Sequence, residues 1–223
     1  MAENIALYAR VGYVEVERRE EDGFRRVFMR KALQPEVDST SASGAAVVPV
    51  ASIAHQLQAQ ALISEYLHWV AAVAQTNYGL RFDVAAMAAS GMEDAAKFYP
   101  PAGRFYLVMH QGLAVGVGCL KTLAPGVGEV QRMYVQPQVR GVGAGRALVR
   151  QLIADAKSMG FRSLRLESLK ALEAAHGLYR SVGFKEIDPY SENSMQSYQP
   201  PETLATYRES AVFMELVLDD APV

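Results

Sequence analysis

The chain has 223 residues, of which 50% are apolar and 21% charged, as expected for a folded protein with a hydrophobic core. Its net charge of -2, from 22 basic and 24 acidic side chains, argues against a nucleic-acid-binding surface, which needs an excess of lysine and arginine. The single cysteine, Cys119, excludes an internal disulfide, and the four histidines are scattered, so no metal site is expected.

Two further features bear on the cellular environment and on the cysteine. The first residues lack the basic-then-apolar pattern of a signal peptide, and the apolar run over residues 70–74 is too short to span a bilayer. We therefore expect a cytoplasmic protein with no membrane contact. Cys119 lies in the apolar run over residues 115–120, where a small buried side chain is expected rather than a nucleophile.

Residues 1–33 resemble the end of the chain itself. Residues 6–13 match residues 177–184, and each stretch reads as the end of a helix, a glycine and an aromatic residue that opens a strand. Downstream, residues 27–29 match residues 212–214 inside a second strand-like run. We therefore predict that the first 33 residues copy the last helix and the last two strands of the main domain.

After a linker over residues 34–45, rich in proline, serine and glycine, one complete domain is predicted over residues 46–223. Hairpins come first and a strand-helix-strand crossover follows, which predicts an α/β fold with a mixed central sheet and helices on both faces. Period-two and period-3.6 patterns locate its elements. The predicted strands cover residues 47–50, 104–110, 114–120, 129–135, 164–167, 184–187 and 211–218. The predicted helices cover residues 53–73, 84–97, the stretch from residue 145 to Gly160, and residues 172–181. A loop is predicted over residues 188–206.

A glycine-rich segment over residues 140–146 separates a predicted strand from a predicted helix. Its three alternate glycines, Gly141, Gly143 and Gly145, let backbone N–H groups approach an anion at the positive end of the helix. Arg140 and Arg146 add charge-assisted hydrogen bonds, so a diphosphate is the expected ligand. The alternative is a tight turn that binds nothing.

Two familiar phosphate motifs are excluded by particular residues. A Walker loop needs Gly-Lys-Ser/Thr, but here the helix opens with Gly145, Arg146 and Ala147. A dinucleotide fingerprint needs its third glycine one residue later than Gly145.

The segment over residues 140–145 resembles the acetyl-CoA pyrophosphate motif of the GNAT superfamily of N-acetyltransferases. The resemblance continues over residues 129–135, 164–167 and 178–184, and covers about residues 47–218. It implies a GNAT-like acyl-CoA N-acyltransferase fold, with acetyl-CoA as cosubstrate, a primary amine as acceptor and no metal. The cofactor-binding residues that it implies are Met133, Tyr134, Val135, Arg140, Gly141, Val142, Gly143, Ala144, Gly145 and Arg146.

The same resemblance implies that the amine attacks the thioester directly, without a covalent enzyme intermediate. Glu129 is the implied general base, and the alternative for it is a solvent-exposed carboxylate at the end of a strand. Tyr179 is the implied general acid, and the alternative is a half-buried aromatic on a helix. Backbone groups of Met133 and Val135 are expected to bind the pantetheine arm as an added strand would, and an N–H near Tyr134 to polarise the thioester carbonyl.

Three points stay open at this stage. Family members often carry an asparagine where this chain has Leu172, which puts one polar contact to the cofactor in doubt. Tyr66, Trp69 and Tyr190 are candidates for the acceptor site, although each also fits a core or surface position. The alternative function is a non-catalytic acyl-CoA-binding module with a regulatory or dimerisation role.

The N-terminal copy resembles the end of a second GNAT domain, without a glycine-rich loop of its own. It is read in three ways: as a relic, as a segment that packs on the complete domain, or as a hairpin that completes a sheet in another subunit. The last reading makes a homodimer possible.

Overall fold

The computed structural model describes residues 13–21, 24–31, 45–93, 95–190 and 201–218. Contacts divide the chain into two units, and the first contains a hairpin of β1 (Tyr13–Glu21) and β2 (Phe24–Lys31). These are the two strands predicted in the N-terminal copy. The helix predicted before them and the linker up to residue 44 lie outside the described residues. The division of the chain into a fragment, a linker and a complete domain stays a prediction.

The second unit contains the elements of the predicted α/β domain. Its strands are β3 (Ala46–Pro49), β4 (Gly103–His110), β5 (Leu113–Ala124), β6 (Val127–Val135), β7 (Ser163–Leu169), β8 (Lys185–Ile187) and β9 (Ala211–Val217). Its helices are α1 (Ile53–Tyr78), α2 (Val84–Glu93), α3 (Ala144–Ser158), α4 (Glu173–Ser181) and α5 (Leu204–Ser210), and short 3-10 turns cover Ala95–Phe98 and Pro137–Val139.

Two of the element predictions are corrected. The second predicted helix, residues 84–97, is divided into α2 and the separate 3-10 turn that follows it. Helix α5 begins inside the stretch predicted as a loop, residues 188–206, of which residues 191–200 lie outside the described part. A helix of seven residues is too short to show a 3.6-residue period in sequence, although its Tyr207 is almost fully buried.

The central sheet has seven strands in the order β3-β4-β5-β6-β7-β9-β8. Every neighbouring pair is antiparallel except β6 and β7, which run parallel across the crossover through α3. The predicted α/β architecture, a mixed sheet flanked by helices, is therefore confirmed.

Alternate residues of the strands pack against different helices, which defines the two faces of the sheet. On β5, Gly118 faces α3, where an added Cβ would lie 2.9 Å from Leu148 Cδ2, whereas Val117 packs in a cluster with Leu62 of α1. We call these the α3 face and the α1 face. The period-3.6 pattern that predicts α3 is confirmed, since the apolar residues at its centre are fully buried against the first face: Leu148, Val149, Leu152 and Ala156.

The parallel strands β6 and β7 pair only at their beginnings. Their register runs from Val127–Ser163 to Glu129–Arg165 and stops there. Just beyond, β6 carries an irregularity against β5, and Arg132 has a φ of +53°. An extra residue of this kind bends and twists a strand. β6 and β7 therefore separate beyond Glu129 and leave a gap in the middle of the sheet.

None of the described helices is long and apolar enough to cross a membrane.

Candidate active site

A cavity of about 660 Å³ lies where β6 and β7 separate. Ala144 and Tyr179 line it and belong to the core cluster of the α3 face. Val70 and Tyr207 also line it and belong to a cluster of the α1 face. The cavity therefore connects the two faces of the sheet through the gap, so that two molecules entering from opposite sides can meet inside it.

The glycine-rich loop borders the cavity at the carboxyl end of β6. Gly141 has a φ of +91° and Gly143 a φ of +87°, and a Cβ at either position would meet no atom within 4 Å. These two glycines are therefore required by the backbone conformation and not by crowding. Gly145 is required by crowding instead. A Cβ there would lie 3.1 Å from Leu178 Cδ2, so the lack of a side chain at this position allows α4 to pack closely.

Nearly all the predicted cofactor-binding residues line this one cavity. The exception is Val142, which does not line it and whose side chain is 42% exposed. Arg140 donates from Nε to the carbonyl of Val135 at 3.2 Å, and its guanidinium lies 5.2 Å from the centre of the Trp69 ring. The predicted residues that do line the cavity are Met133, Tyr134, Val135, Arg140, Gly141, Gly143, Ala144, Gly145 and Arg146.

The edge of β6 that faces the gap carries backbone groups that do not pair with β5. The N–H of Gln136 donates to the carbonyl of Val115 on β5 at 2.9 Å. Because peptide groups alternate along a strand, those of Val135 and Met133 point away from β5 and into the gap. The amide of Tyr134 points toward β5, so of the amides near it those of Met133 and Val135 face the gap.

Aromatic side chains of α1 and β6 form the wall on the α1 face. The ring of Tyr134 lies 5.7 Å from that of Tyr66 and 5.8 Å from that of Trp69, and its hydroxyl donates to Glu65 at 2.8 Å. Of the three candidate acceptor residues, Tyr66 and Trp69 line the cavity. Tyr190 does not, because it is buried behind Glu129.

Glu129, the predicted base, lines the cavity but is already heavily paired. It is 2% exposed and is the third residue of β6, so the alternative of an exposed carboxylate at a strand end is wrong. Lys121 Nζ lies 3.0 Å from its Oε2, Gln131 donates to Oε2 at 2.7 Å, and Tyr190 donates to Oε1 at 3.2 Å. These three contacts occupy most of the hydrogen-bonding positions of the carboxylate, which leaves little room for a further contact with a substrate amine.

Glu167 is a second carboxyl in the cavity, and it is not among the residues predicted for the site. Leu164 and Leu166 pack on the α3 face, so Glu167 points to the α1 face, where Tyr66 lies. Burial, and then the nearby Glu129 carboxylate, raise the pKa of Glu167 to about 8. Its Oε2 is buried without a hydrogen-bond partner among the described residues. In the sequence, Glu167 is only the last residue of a short predicted strand, residues 164–167, and no local pattern distinguishes it from an ordinary strand residue.

Tyr179 enters the cavity from α4, on the α3 face. It is 7% exposed, so it is more deeply buried than either reading of the sequence expected, and its role as the acid stays a prediction. Burial, and then the nearby Tyr66 hydroxyl, raise the pKa of Tyr179 above its ordinary value. The hydroxyl therefore holds its proton at neutral pH, as a general acid must before it donates. Glu167 and Tyr179 thus approach the cavity from opposite faces of the sheet.

Comparison with known proteins agrees with this geometry. The model of the acetyltransferase (GNAT) family matches residues 61–184. The chain belongs to the GNAT acetyltransferase family. An uncharacterised N-acetyltransferase of Schizosaccharomyces pombe is 36% identical over 100 residues, which are 44% of this chain and 61% of that protein. An uncharacterised N-acetyltransferase of Escherichia coli is 32% identical over 116 residues, which are 50% of this chain and 70% of that protein. The chain therefore spans less than two thirds of the yeast relative.

Solved structures of the GNAT family share the fold. A candidate acyl-CoA N-acyltransferase from Klebsiella pneumoniae is 26% identical, with a TM-score of 0.52, over 79% of this chain and 99% of that chain. The PaiA N-acetyltransferase of Thermoplasma acidophilum, in complex with coenzyme A, has a TM-score of 0.57 over 78% of this chain and 99% of that chain. Its sequence is 16% identical, so this likeness concerns the fold alone.

Two remaining residues bear on the chemistry of this GNAT site. Cys119 is fully buried, and burial raises the pKa of its thiol to about 12, so it is not a reactive thiolate at neutral pH. Leu172, which replaces the asparagine common in the family, lines the cavity with an apolar side chain directly before α4. Among the described residues, no group of three or more His, Cys, Asp or Glu side chains is placed to hold a metal ion.

Proposed function

We propose that this GNAT protein transfers an acetyl group from acetyl-CoA to a primary amine of a small molecule or amino group. The observation that carries the proposal is the cavity through the sheet, which joins the glycine-rich loop on one face to Glu167 on the other. Such a passage fits a reaction in which donor and acceptor enter from opposite sides and react without a covalent enzyme intermediate.

The donor half of the site suits a long, doubly charged diphosphate ester. The loop around Gly143 and the first turn of α3 offer backbone N–H groups at the positive end of a 15-residue helix. Arg146 lines the same region and adds a charged donor. The peptide groups of Met133 and the N–H of Val135, at the edge of β6 beside the gap, suit the amides of the pantetheine arm, whereas the Val135 carbonyl already accepts from Arg140.

The reaction needs two proton transfers, and the two faces of the sheet supply one group each. The amine nitrogen loses a proton to the ionised Glu167 as it attacks the thioester carbon and the new C–N bond forms. The C–S bond then breaks, and the sulfur of CoA takes the proton of Tyr179. Both residues exchange protons with water after the products leave. Glu167 fits the role of base better than Glu129, because Lys121, Gln131 and Tyr190 already hold the Glu129 carboxylate.

Tyr179→Phe is expected to lower kcat by roughly 100-fold, at the low end of general-acid contributions, because a thiolate is a fairly stable leaving group. The Kd for acetyl-CoA should stay within about twofold, since the substitution removes only a hydroxyl. A thiol-detecting assay of CoA release, beside calorimetry with acetyl-CoA, measures both quantities.

Tyr106→Phe is the matched control for this test. Tyr106 is also a buried tyrosine on the α3 face, but it does not line the cavity. It should leave kcat unchanged. A Tyr179→Phe variant with the wild-type kcat would contradict the assigned role. Tight acetyl-CoA binding with no turnover for any amine would support the alternative, a non-catalytic acyl-CoA-binding module.

A further inference from the structure

The half of the cavity on the α1 face differs in character from the half that borders the glycine-rich loop. Side chains of α1, α2 and α5 line it, and no diphosphate-binding feature is among them. We propose that this half takes the acceptor as a primary amine carried on a compact apolar body, aromatic or branched aliphatic. The inference rests on the proposed function and names the substrate class for the same site.

The wall that would contact the acceptor is strongly apolar. Val70, Met87 and Leu169 are each no more than 6% exposed, and Phe82 is partly buried beside them. All four line the cavity. A hydrocarbon body gains free energy by leaving water for such a wall, whereas the hydroxyls of a sugar would lose hydrogen bonds there.

The charges near this wall disfavour a polycation. Lys97 and Arg132 both line the cavity and carry positive charge. Of the carboxyl groups on this face, Glu129 is paired with Lys121, and Glu167 is largely protonated at neutral pH because its pKa is raised. One amino group can approach Glu167, but further ammonium groups on the same molecule would face Lys97 and Arg132, and the remaining carboxyl that lines the cavity, Glu173, lies in the first turn of α4.

Tyr207 offers a second point of recognition. It lines the cavity from α5, is 1% exposed, and its hydroxyl has no hydrogen-bond partner among the described residues. A buried hydroxyl without a partner carries a free-energy penalty that a polar group of a bound molecule can recover. An acceptor with one additional hydrogen-bonding group on its apolar body is therefore expected to bind better than the plain hydrocarbon amine.

The single tryptophan of the chain allows the proposed preference for apolar amines to be tested by measuring binding alone. Trp69 is the only tryptophan, and it lines the cavity, so its fluorescence reports on ligands there. We would titrate 2-phenylethylamine, 3-methylbutylamine, spermidine and glucosamine into the protein saturated with CoA. The first two should bind at least about tenfold more tightly than the last two.

Two variants with matched controls sharpen the test. Phe82→Ala should weaken the binding of 2-phenylethylamine roughly tenfold and leave the Kd for CoA unchanged. Phe161→Ala, at an equally half-buried phenylalanine outside the cavity, should change neither. Tyr207→Phe should weaken the binding of a hydroxyl-bearing amine such as leucinol and leave the affinity for 3-methylbutylamine unchanged. Tyr99→Phe, at a tyrosine outside the cavity wall, should change neither of these two affinities.

The outcomes distinguish an error in the acceptor assignment from an error in the proposed transferase activity. Spermidine or glucosamine binding as tightly as the apolar amines, or Phe82→Ala without effect, would overturn the acceptor assignment and leave acetyl transfer intact. Tight binding of the apolar amines without CoA release from acetyl-CoA would instead support the apolar site and contradict the proposed transferase activity.

Discussion

Replacing Glu167 by glutamine should lower kcat by roughly 10²- to 10⁴-fold, the usual contribution of a general base. Glutamine keeps the size and shape of the side chain but cannot accept the proton of the attacking amine. Glu167 touches none of the residues of the glycine-rich loop in the proposed scheme, so the Kd for acetyl-CoA should stay within about twofold. Steady-state kinetics and calorimetry on the same preparations measure both.

The pH profile gives this prediction a separate readout. The Glu167 carboxyl accepts a proton only when ionised, and its pKa is raised to about 8 by burial and by Glu129. In the wild-type protein, kcat/KM should therefore rise with pH through the neutral range and level off above about pH 8. In Glu167→Gln this limb should disappear. A variant that retained both the wild-type kcat and the same limb would show that Glu167 is not the base.

Replacing Glu129 by glutamine should act mainly on stability, with a loss of roughly 3–5 kcal/mol. Glu129 is 2% exposed, and its carboxylate lies 3.0 Å from the ammonium of Lys121, whose side chain is 12% exposed. The substitution removes the negative charge that faces this buried ammonium. Urea unfolding followed by circular dichroism measures the free energy of unfolding of both proteins.

Glu215→Gln is the matched control for the stability test. Glu215 also pairs with a cation across two strands, at 2.9 Å from Arg165, but both side chains are more than 20% exposed. A partly exposed pair of this kind is worth about 1 kcal/mol or less. If Glu129→Gln retained full stability and lost activity as completely as Glu167→Gln, the sequence-based assignment of Glu129 as the base would be the better one.

The elements and the donor half of the site were accessible from the sequence because both are encoded locally. The apolar stripe of α3 follows a 3.6-residue period. The Gln-Gly pair at residues 111 and 112 lies between the predicted strands 104–110 and 114–120, and both residues have positive φ values in the β4–β5 hairpin. The glycine-rich loop is contiguous, so its residues are necessarily neighbours in the fold.

The proposed division of roles between Glu129 and Glu167 could not be predicted from local patterns in the sequence. It depends on Lys121 and Tyr190, which lie 8 and 61 residues from Glu129 along the chain and meet it only after the sheet has formed. It also depends on the gap between β6 and β7, which exposes Glu167 to the cavity. The gap begins at an irregularity around Arg132, and no local pattern marks that residue as different from its neighbours.

The most direct test of the central claim is calorimetry with acetyl-CoA on wild type, Gly143→Trp and Gly160→Trp. Both glycines have positive φ values and open space around them, and they lie near the two ends of α3, but only Gly143 borders the cavity. Wild type and Gly160→Trp should bind acetyl-CoA with the same Kd, and Gly143→Trp should not bind, because an indole would occupy the diphosphate loop. No binding to wild type, or wild-type affinity in Gly143→Trp, would contradict the assignment of this cavity as the acetyl-CoA site.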